Sequence, residues 1–445
     1  MKRPVALLAA CLALSDARGD VLPLQARIDA APPDATIEVE AATYPGPICI
    51  NKPLKLIGLG RPEIRGNGEG SVVLITAPDV TVRGFRITGS GRNLLKDDAG
   101  IHITGDRATI EDNQIEECLH GIYLKKVADC RLLRNRIRGR ADLPDTAAPI
   151  GSDIGQSAEN CDADLAAAVR RGNGIHQWNS TGTLIDSNEV SDMRDGIYFS
   201  FTSGCRVESN TIHGVRYGLH YMYSNDNVFE NNSFSENAAG AAVMFSQGLV
   251  VRHNRFVSNR GLRAYGLILQ STDHSSLEGN EIEQNAVGLS FNQCNGNRVI
   301  GNRLRRNYIG LRFGSNSEGN QFSENLFERN LHAVEIGGGT GDNRWAIGGV
   351  GNYWSDAGAF DLDGDGINDL PHRELDLFGI LRCDFPAIGL LSDSPAVNML
   401  RFAHEKAALP GAASIDDPAP LTRRYWKIRA QRAAQLARDT ISASP

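Results

Sequence analysis

His220, Met222 and Met244 form the softest donor set in a chain that holds only five methionines in 445 residues. Thioether and imidazole together suit Cu(I), because soft, polarisable donors match a soft monovalent ion. A second constellation is hard rather than soft: Asp361-Leu-Asp363-Gly-Asp365-Gly-Ile-Asn-Asp369. Carboxylates at alternating positions with glycine at the sixth match the first nine residues of a calcium loop. Its ligands would be Asp361, Asp363, Asp365, the Ile367 carbonyl and Asp369. His372 stands where the bidentate glutamate of a full EF-hand would be. An acidic turn without metal is the plainer alternative, but four converging aspartates repel one another unless a cation lies between them. A structural Ca2+ closing the C-terminal end is therefore expected.

A repeat is what places the soft donors together. From Ile101 to Ile336 the chain recurs about every 22 residues as apolar-x-x-Asn-x-apolar, then five residues, then Gly-apolar-x-apolar. The asparagines are 113, 135, 188, 210, 232, 254, 280, 302 and 325, and glycines 121, 196, 218, 240, 288 and 310 follow eight residues after most of them. A fixed period of this length specifies a stacked solenoid. The segments alternate with period two and are rich in β-branched and aromatic residues, with no helical stripe. A leucine-rich repeat shares the period, but it needs leucine five residues before the asparagine, and only Leu249 fits. The fold class expected is all-β: a right-handed parallel β-helix with two strands per coil and a short helical C-terminal tail. The asparagines read as a structural ladder at a corner and the glycines as bends.

Two spacings break the period. Gly240 to Gly266 spans 26 residues, a bulge near Arg260-Gly261-Leu262, and Asn135 to Asn188 spans 53, which implies an insertion over 140–171. A long excursion from a strict solenoid is usually functional or disordered. About three less regular coils fit Thr36 to Gly91, and Leu22 to Ala30 reads as an amphipathic cap.

Aligning the coils on their glycines turns the repeat into coordinates. The first and third positions after each glycine are mostly apolar and point inward, so the second and fourth face solvent together. The second column reads His102, Tyr123, His176, Tyr198, His220, and the fourth reads Trp178, Ser200, Met222, Met244, Gln270. Met222 and Met244 are then about 5 Å apart at Cα on neighbouring coils, with His220 about 7 Å from Met222 on the same face. A transient copper site is one reading. A packing patch under Tyr221 and Tyr223, or an adaptable protein-docking surface, is the other. His176, Trp178, Tyr198 and Tyr223 extend the patch into an aromatic strip of the kind that marks partner contact.

Composition limits the remaining choices. A net charge of −7 argues against nucleic-acid binding. Lys2-Arg3 followed by an apolar run from Val5 to Leu14 reads as a signal peptide over 1–17. Cys11 closes a box resembling a lipoprotein site, but the apolar run is short and continues past it. Cys130 and Cys205 share a coil position two coils apart, too far for a disulfide, and Cys118, Cys205 and Cys294 read as small core residues. The expected organisation is signal peptide 1–17, solenoid 18–350, an end segment 351–393 with the aspartate loop, and a tail over 394–445. In that tail a helix begins at Ser394-Pro395, and a basic segment follows with Arg423, Arg424, Lys427, Arg429, Arg432 and Arg438. The basic segment reads either as a lipid or membrane-partner contact or as a solvated helix.

The runs Gly174-Ile-His-Gln-Trp-Asn, Asp195-Gly-Ile-Tyr-Phe-Ser, Arg216-Tyr-Gly-Leu-His-Tyr-Met-Tyr-Ser and Ala264-Tyr-Gly-Leu resemble the NosD family. Gly351-Asn-Tyr-Trp-Ser-Asp, Phe385-Pro-Ala and Ser394-Pro-Ala-Val extend the resemblance over nearly the whole mature chain. It implies a non-catalytic periplasmic accessory protein of nitrous oxide reductase maturation. Such proteins work with the membrane and ATPase subunits of an ABC-type transporter and a periplasmic copper chaperone to assemble the reductase's copper centres. ATP hydrolysis would belong to a partner, since no Gly-rich phosphate loop with Lys-Ser/Thr occurs here. The rival class is a carbohydrate-binding or polysaccharide-cleaving β-helix, whose chemistry needs paired carboxylates on the outer coils. Immediately before the coil glycines stand Ala99, His120, Asn173, Asp195, Tyr217, Ala239 and Tyr265, with one carboxylate among them.

Overall fold

A computed structural model describes residues 23–139, 171–260, 264–337, 341–375 and 414–431, and the single positions 394, 395 and 399. The expected signal peptide with Cys11, nearly all of the insertion over 140–171, the bulge at 261–263 and most of the tail lie outside the described residues.

The chain winds into a parallel β-helix of about twelve coils with three long sheets. The first runs from Ala35–Val39 to Gln321–Ser323, the second from Thr43–Pro45 to Tyr353–Trp354, and the third from Ile48–Ile50 to His332–Ile336. Strands of successive coils pair in parallel with equivalent positions opposite each other, such as Ile110 with Leu132, Ile115 with Ile137 and Tyr198 with His220. The apolar columns fill one continuous interior that includes Ile110, Ile115, Ile197, Phe229 and Phe256, all essentially inaccessible to solvent.

Each coil has three strands, not the two that the repeat suggests. The apolar positions before and after each asparagine lie in different sheets, because the intervening backbone turns a corner. The residue just before the asparagine makes that corner in the left-handed region, as at Asp112, Arg134, Ser187, Ser209, Asn231 and His253. Residues other than glycine adopt this conformation rarely, and Asn and Asp most readily. The asparagine then secures the corner. From Asn135 onward its Oδ1 accepts from the backbone N–H and the amide of the asparagine one coil earlier, as Asn254 does from Asn232 at 2.9 Å each, while Asn113 accepts from the Phe85 N–H. The ladder runs unbroken from Asn113 to Asn352.

A second ladder at the next corner joins Asn237, Asn259, Asn285, Asn307 and Asn330. It went unread in the sequence, although its signal is there: an asparagine five residues after each of Asn232, Asn254, Asn280, Asn302 and Asn325. The repeated glycines differ from their reading as bends. None of Gly121, Gly196, Gly218 or Gly240 has a left-handed φ, and what they supply is closeness. A Cβ on Gly218 would lie 2.5 Å from the Gly240 carbonyl oxygen and 2.7 Å from Phe234.

Both ends are closed. The helix Leu24–Ala30 buries Leu24 and Ile28 on the first coil, and Gln25 pairs with the backbone of Cys49. At the other end the ladder finishes on buried Asp417, which accepts from the Asn352 N–H at 2.7 Å and the Trp354 indole at 2.9 Å. Burial raises the Asp417 carboxyl, and these donors work against that rise. A helix over 423–431 lies on the last coils, with Arg423 on the Tyr353 hydroxyl and Glu328, and Arg429 on Glu324. Part of the expected basic segment therefore ties the tail to the solenoid. No helix among the described residues is long and apolar enough to cross a membrane.

Candidate functional site

The register places the soft donors as the coil alignment requires. Strand Tyr217–Met222 pairs with Ala239–Gln247, which sets Met222 directly opposite Met244. His220 precedes Met222 by two residues on the same outward face, and all three are half-buried. Tyr221 and Val243, between them, point into the core and are buried. Tyr221 therefore cannot cover the methionines from outside, as the packing-patch reading requires.

The second column forms a continuous stack of rings, since in-register coils bring like positions within about 5 Å. His102 and Tyr123 have centroids 5.1 Å apart, Tyr123 and His176 4.4 Å, His176 and Tyr198 4.5 Å, and Tyr198 and His220 4.9 Å. His120, from the pre-glycine column, joins the stack 5.3 Å from His176. Burial pushes the His120 imidazole down to about 4 and holds His176 well below the ordinary range, so both are neutral at pH 7.

Asp195 is the residue that reading the sequence missed. It stands in the pre-glycine column, only 1% exposed. Arg216 grips its carboxylate with two bonds of 2.9 Å, and His220 Nδ1 lies 3.0 Å from its Oδ2. Burial alone would raise this carboxyl, but Arg216 and His220 outweigh it and hold it far below the usual carboxylate range. Only the column variation itself, Asn173 then Asp195 then Tyr217, hints that something particular happens there.

The predicted partner residues divide. His176 and Tyr198 lie inside the ring stack. Trp178 does not extend it: the ammonium groups of Lys125 and Lys126 sit 5.7 and 5.2 Å from its ring. Tyr223 belongs to a different ladder, stacked between Phe201 at 5.5 Å and Phe245 at 5.1 Å. These three are 56%, 47% and 43% exposed, and each has a left-handed φ. Large aromatic residues seldom adopt that backbone, so this edge beside Met222 and Met244 is built at a conformational cost.

At the C-terminal end, carboxylate oxygens of Asp361, Asp363 and Asp365 lie within 4.8 Å of one another. Asp361 Oδ1 is buried without a hydrogen-bond partner, an arrangement that fits a cation. Asp369 is not part of that group, and its Oδ2 accepts from the Leu362 amide at 2.7 Å. The loop is pinned to the tail by Thr422, whose N–H donates to the Gly366 carbonyl at 2.9 Å.

The described cysteines are all free thiols, as their positions imply. Cys118, Cys130, Cys205 and Cys294 are buried in the core, and burial raises the first three thiols to about 11 and Cys294 to about 12. None of these four supplies a thiolate at neutral pH.

Residues 152–359 match the family described as periplasmic copper-binding protein (NosD). A "Probable ABC transporter binding protein NosD" from Pseudomonas aeruginosa is 34% identical over 431 residues, covering 93% of each chain. A protein of the same name from Stutzerimonas stutzeri is 31% identical over 407 residues, covering 86% of each. Among solved structures, the A-module of the Azotobacter vinelandii mannuronan C-5 epimerase AlgE6 superposes with a TM-score of 0.54 at 13% identity, over 73% of this chain and 93% of that one. At that identity the superposition speaks to the β-helix fold alone. With this fold, this outward row and relatives matched over nearly their whole length, the chain belongs to the NosD family.

Proposed function

We propose that this protein is a non-catalytic periplasmic accessory factor that handles copper during maturation of nitrous oxide reductase. Its partners in this reading are the membrane and ATPase subunits of an ABC-type transporter, a periplasmic copper chaperone and the reductase itself. The observation that carries it is the pairing of Met222 with Met244, with His220 beside them on the outer face. Copper is the cargo, and two thioethers with one imidazole are a donor set that holds Cu(I) in preference to harder ions. Methionine's flexible, unbranched side chain lets both sulfurs turn toward one ion. The family description and the relatives' printed names support copper and transporter association.

A polysaccharide-cleaving reading has less to stand on. Its paired carboxylates would have to face solvent. The pre-glycine column supplies Asp195 alone, buried and engaged by Arg216 and His220. The copper-maturation reading is tested in a strain without the gene, where the reductase should be exported but lack active-site copper.

The aspartate loop is proposed to hold a structural Ca2+ through Asp361, Asp363 and Asp365. A site filled to about a hundred times its Kd stabilises the fold by about 2.7 kcal/mol. Calcium should therefore raise the melting temperature of the chelator-treated protein by about 3 °C. In Asp363→Ala the shift should vanish. An equal melting temperature with calcium and with chelator would reject the site.

A further inference from the structure

We propose that two residues of the pre-glycine column, Asn173 and Asp195, sort the imidazoles beside them, so that of His120, His176 and His220 only His220 presents its Nε2 lone pair to a soft metal ion. This rests on reading His220, Met222 and Met244 as the copper site. A neutral imidazole has one N–H and one lone pair, so a bond made at one nitrogen decides what the other can do. The Asn173 backbone N–H donates to His120 Nδ1 at 3.0 Å, which uses that ring's lone pair and leaves its proton on Nε2. The Asn173 side-chain nitrogen, also a donor only, lies 3.2 Å from His176 Nδ1 and closes that ring in the same way.

One coil later the same column holds a carboxylate. Asp195, ionised beside Arg216, can only accept, so His220 Nδ1 must carry the proton, and the Nε2 lone pair is left free. The exchange of an amide for a carboxylate at equivalent positions thus reverses the tautomer. A carboxylate behind the far nitrogen of a histidine also fixes the ring's orientation and strengthens it as a donor to metal. Asp195 touches no cargo in this scheme and is a positioning residue. Arg216 keeps it charged and in place.

The test uses the metal-free mature protein with 15N-labelled histidine. Long-range proton–nitrogen correlation spectra distinguish the two neutral tautomers, with signals assigned by His120→Gln, His176→Gln and His220→Gln. His220 is expected with its proton on Nδ1, and His120 and His176 with theirs on Nε2. Asn173→Asp should reverse His176 but leave His120, whose partner is the backbone. In Asp195→Asn, Cu(I) affinity should fall about 10- to 100-fold, the usual effect of losing such a partner. A His220 proton on Nε2 in the wild type overturns the proposal without needing any variant to fold. So does an Asp195→Asn protein that binds Cu(I) like the wild type while His220→Ala binds it weakly, and in that case the copper reading survives. The predicted tautomers in a protein that does not bind Cu(I) would sustain the sorting and overturn the copper reading.

Discussion

Replacing His220, Met222 and Met244 together by alanine should lower the Cu(I) affinity of the purified protein by about a hundredfold or more, judging from the 10- to 100-fold cost of disturbing even an outer partner of a metal ligand. Competition against a chromophoric Cu(I) chelator measures this directly. The three side chains are half-buried on the outer face, away from the interior that holds the coils together. Truncating the two methionines should therefore leave the fold close to wild type, whereas removing His220 also takes a hydrogen bond from the buried Asp195 carboxylate and should cost about 1.5–3 kcal/mol. Each single variant should lose less than the triple, because the remaining two donors still bind. The buried cysteines cannot take over, since burial keeps their thiols protonated. Unchanged affinity in the triple variant would remove His220, Met222 and Met244 as ligands.

The second large effect concerns the scaffold. Asn232→Ala should destabilise the protein by about 3 kcal/mol or more, because each buried polar group left without a partner costs about 1–3 kcal/mol. Asn232 is 1% exposed and bonded on both sides. Its Nδ2 donates to the Val207 carbonyl at 2.8 Å and to Asn254 Oδ1 at 2.9 Å. Its Oδ1 accepts from the Asn210 backbone and amide. Alanine takes the amide donor from the Val207 carbonyl and leaves the Asn210 N–H without its partner inside the corner, while the Asn210 amide keeps the Ile185 and Glu208 carbonyls. A coil in a solenoid touches only its neighbours, so the loss weakens one interface rather than a shared core. Denaturant titration followed by circular dichroism would show it, with exposed Lys55→Ala as a control expected to shift stability by less than about 0.5 kcal/mol. A midpoint for Asn232→Ala equal to that control would contradict the ladder's role.

Much of this geometry was legible because the solenoid repeats in register. Once the glycines aligned the coils, alternation along each strand put Met222 beside Met244 and strung His102, Tyr123, His176, Tyr198 and His220 into one row. The first asparagine ladder was legible for the same reason. The third strand was not, because its corner is made by a residue of no fixed type: Asp112, Arg134, Ser187 and His253 all serve. Asp195 lay in plain sight in the pre-glycine column, but which atom it meets depends on side-chain direction across two coils. The Phe201, Tyr223 and Phe245 edge was hidden because alternation assigns faces only within a strand, and these residues sit where the left-handed backbone turns.

Copper content of nitrous oxide reductase is the measurement that bears most directly on the proposed role. The reductase would be purified from a strain lacking this gene, and from the same strain carrying either the wild-type gene or the His220, Met222 and Met244 triple alanine variant. The account predicts exported reductase without active-site copper in the deletion strain, full loading with the wild-type gene, and little or none with the triple variant. Reductase fully loaded with copper in the deletion strain would contradict it.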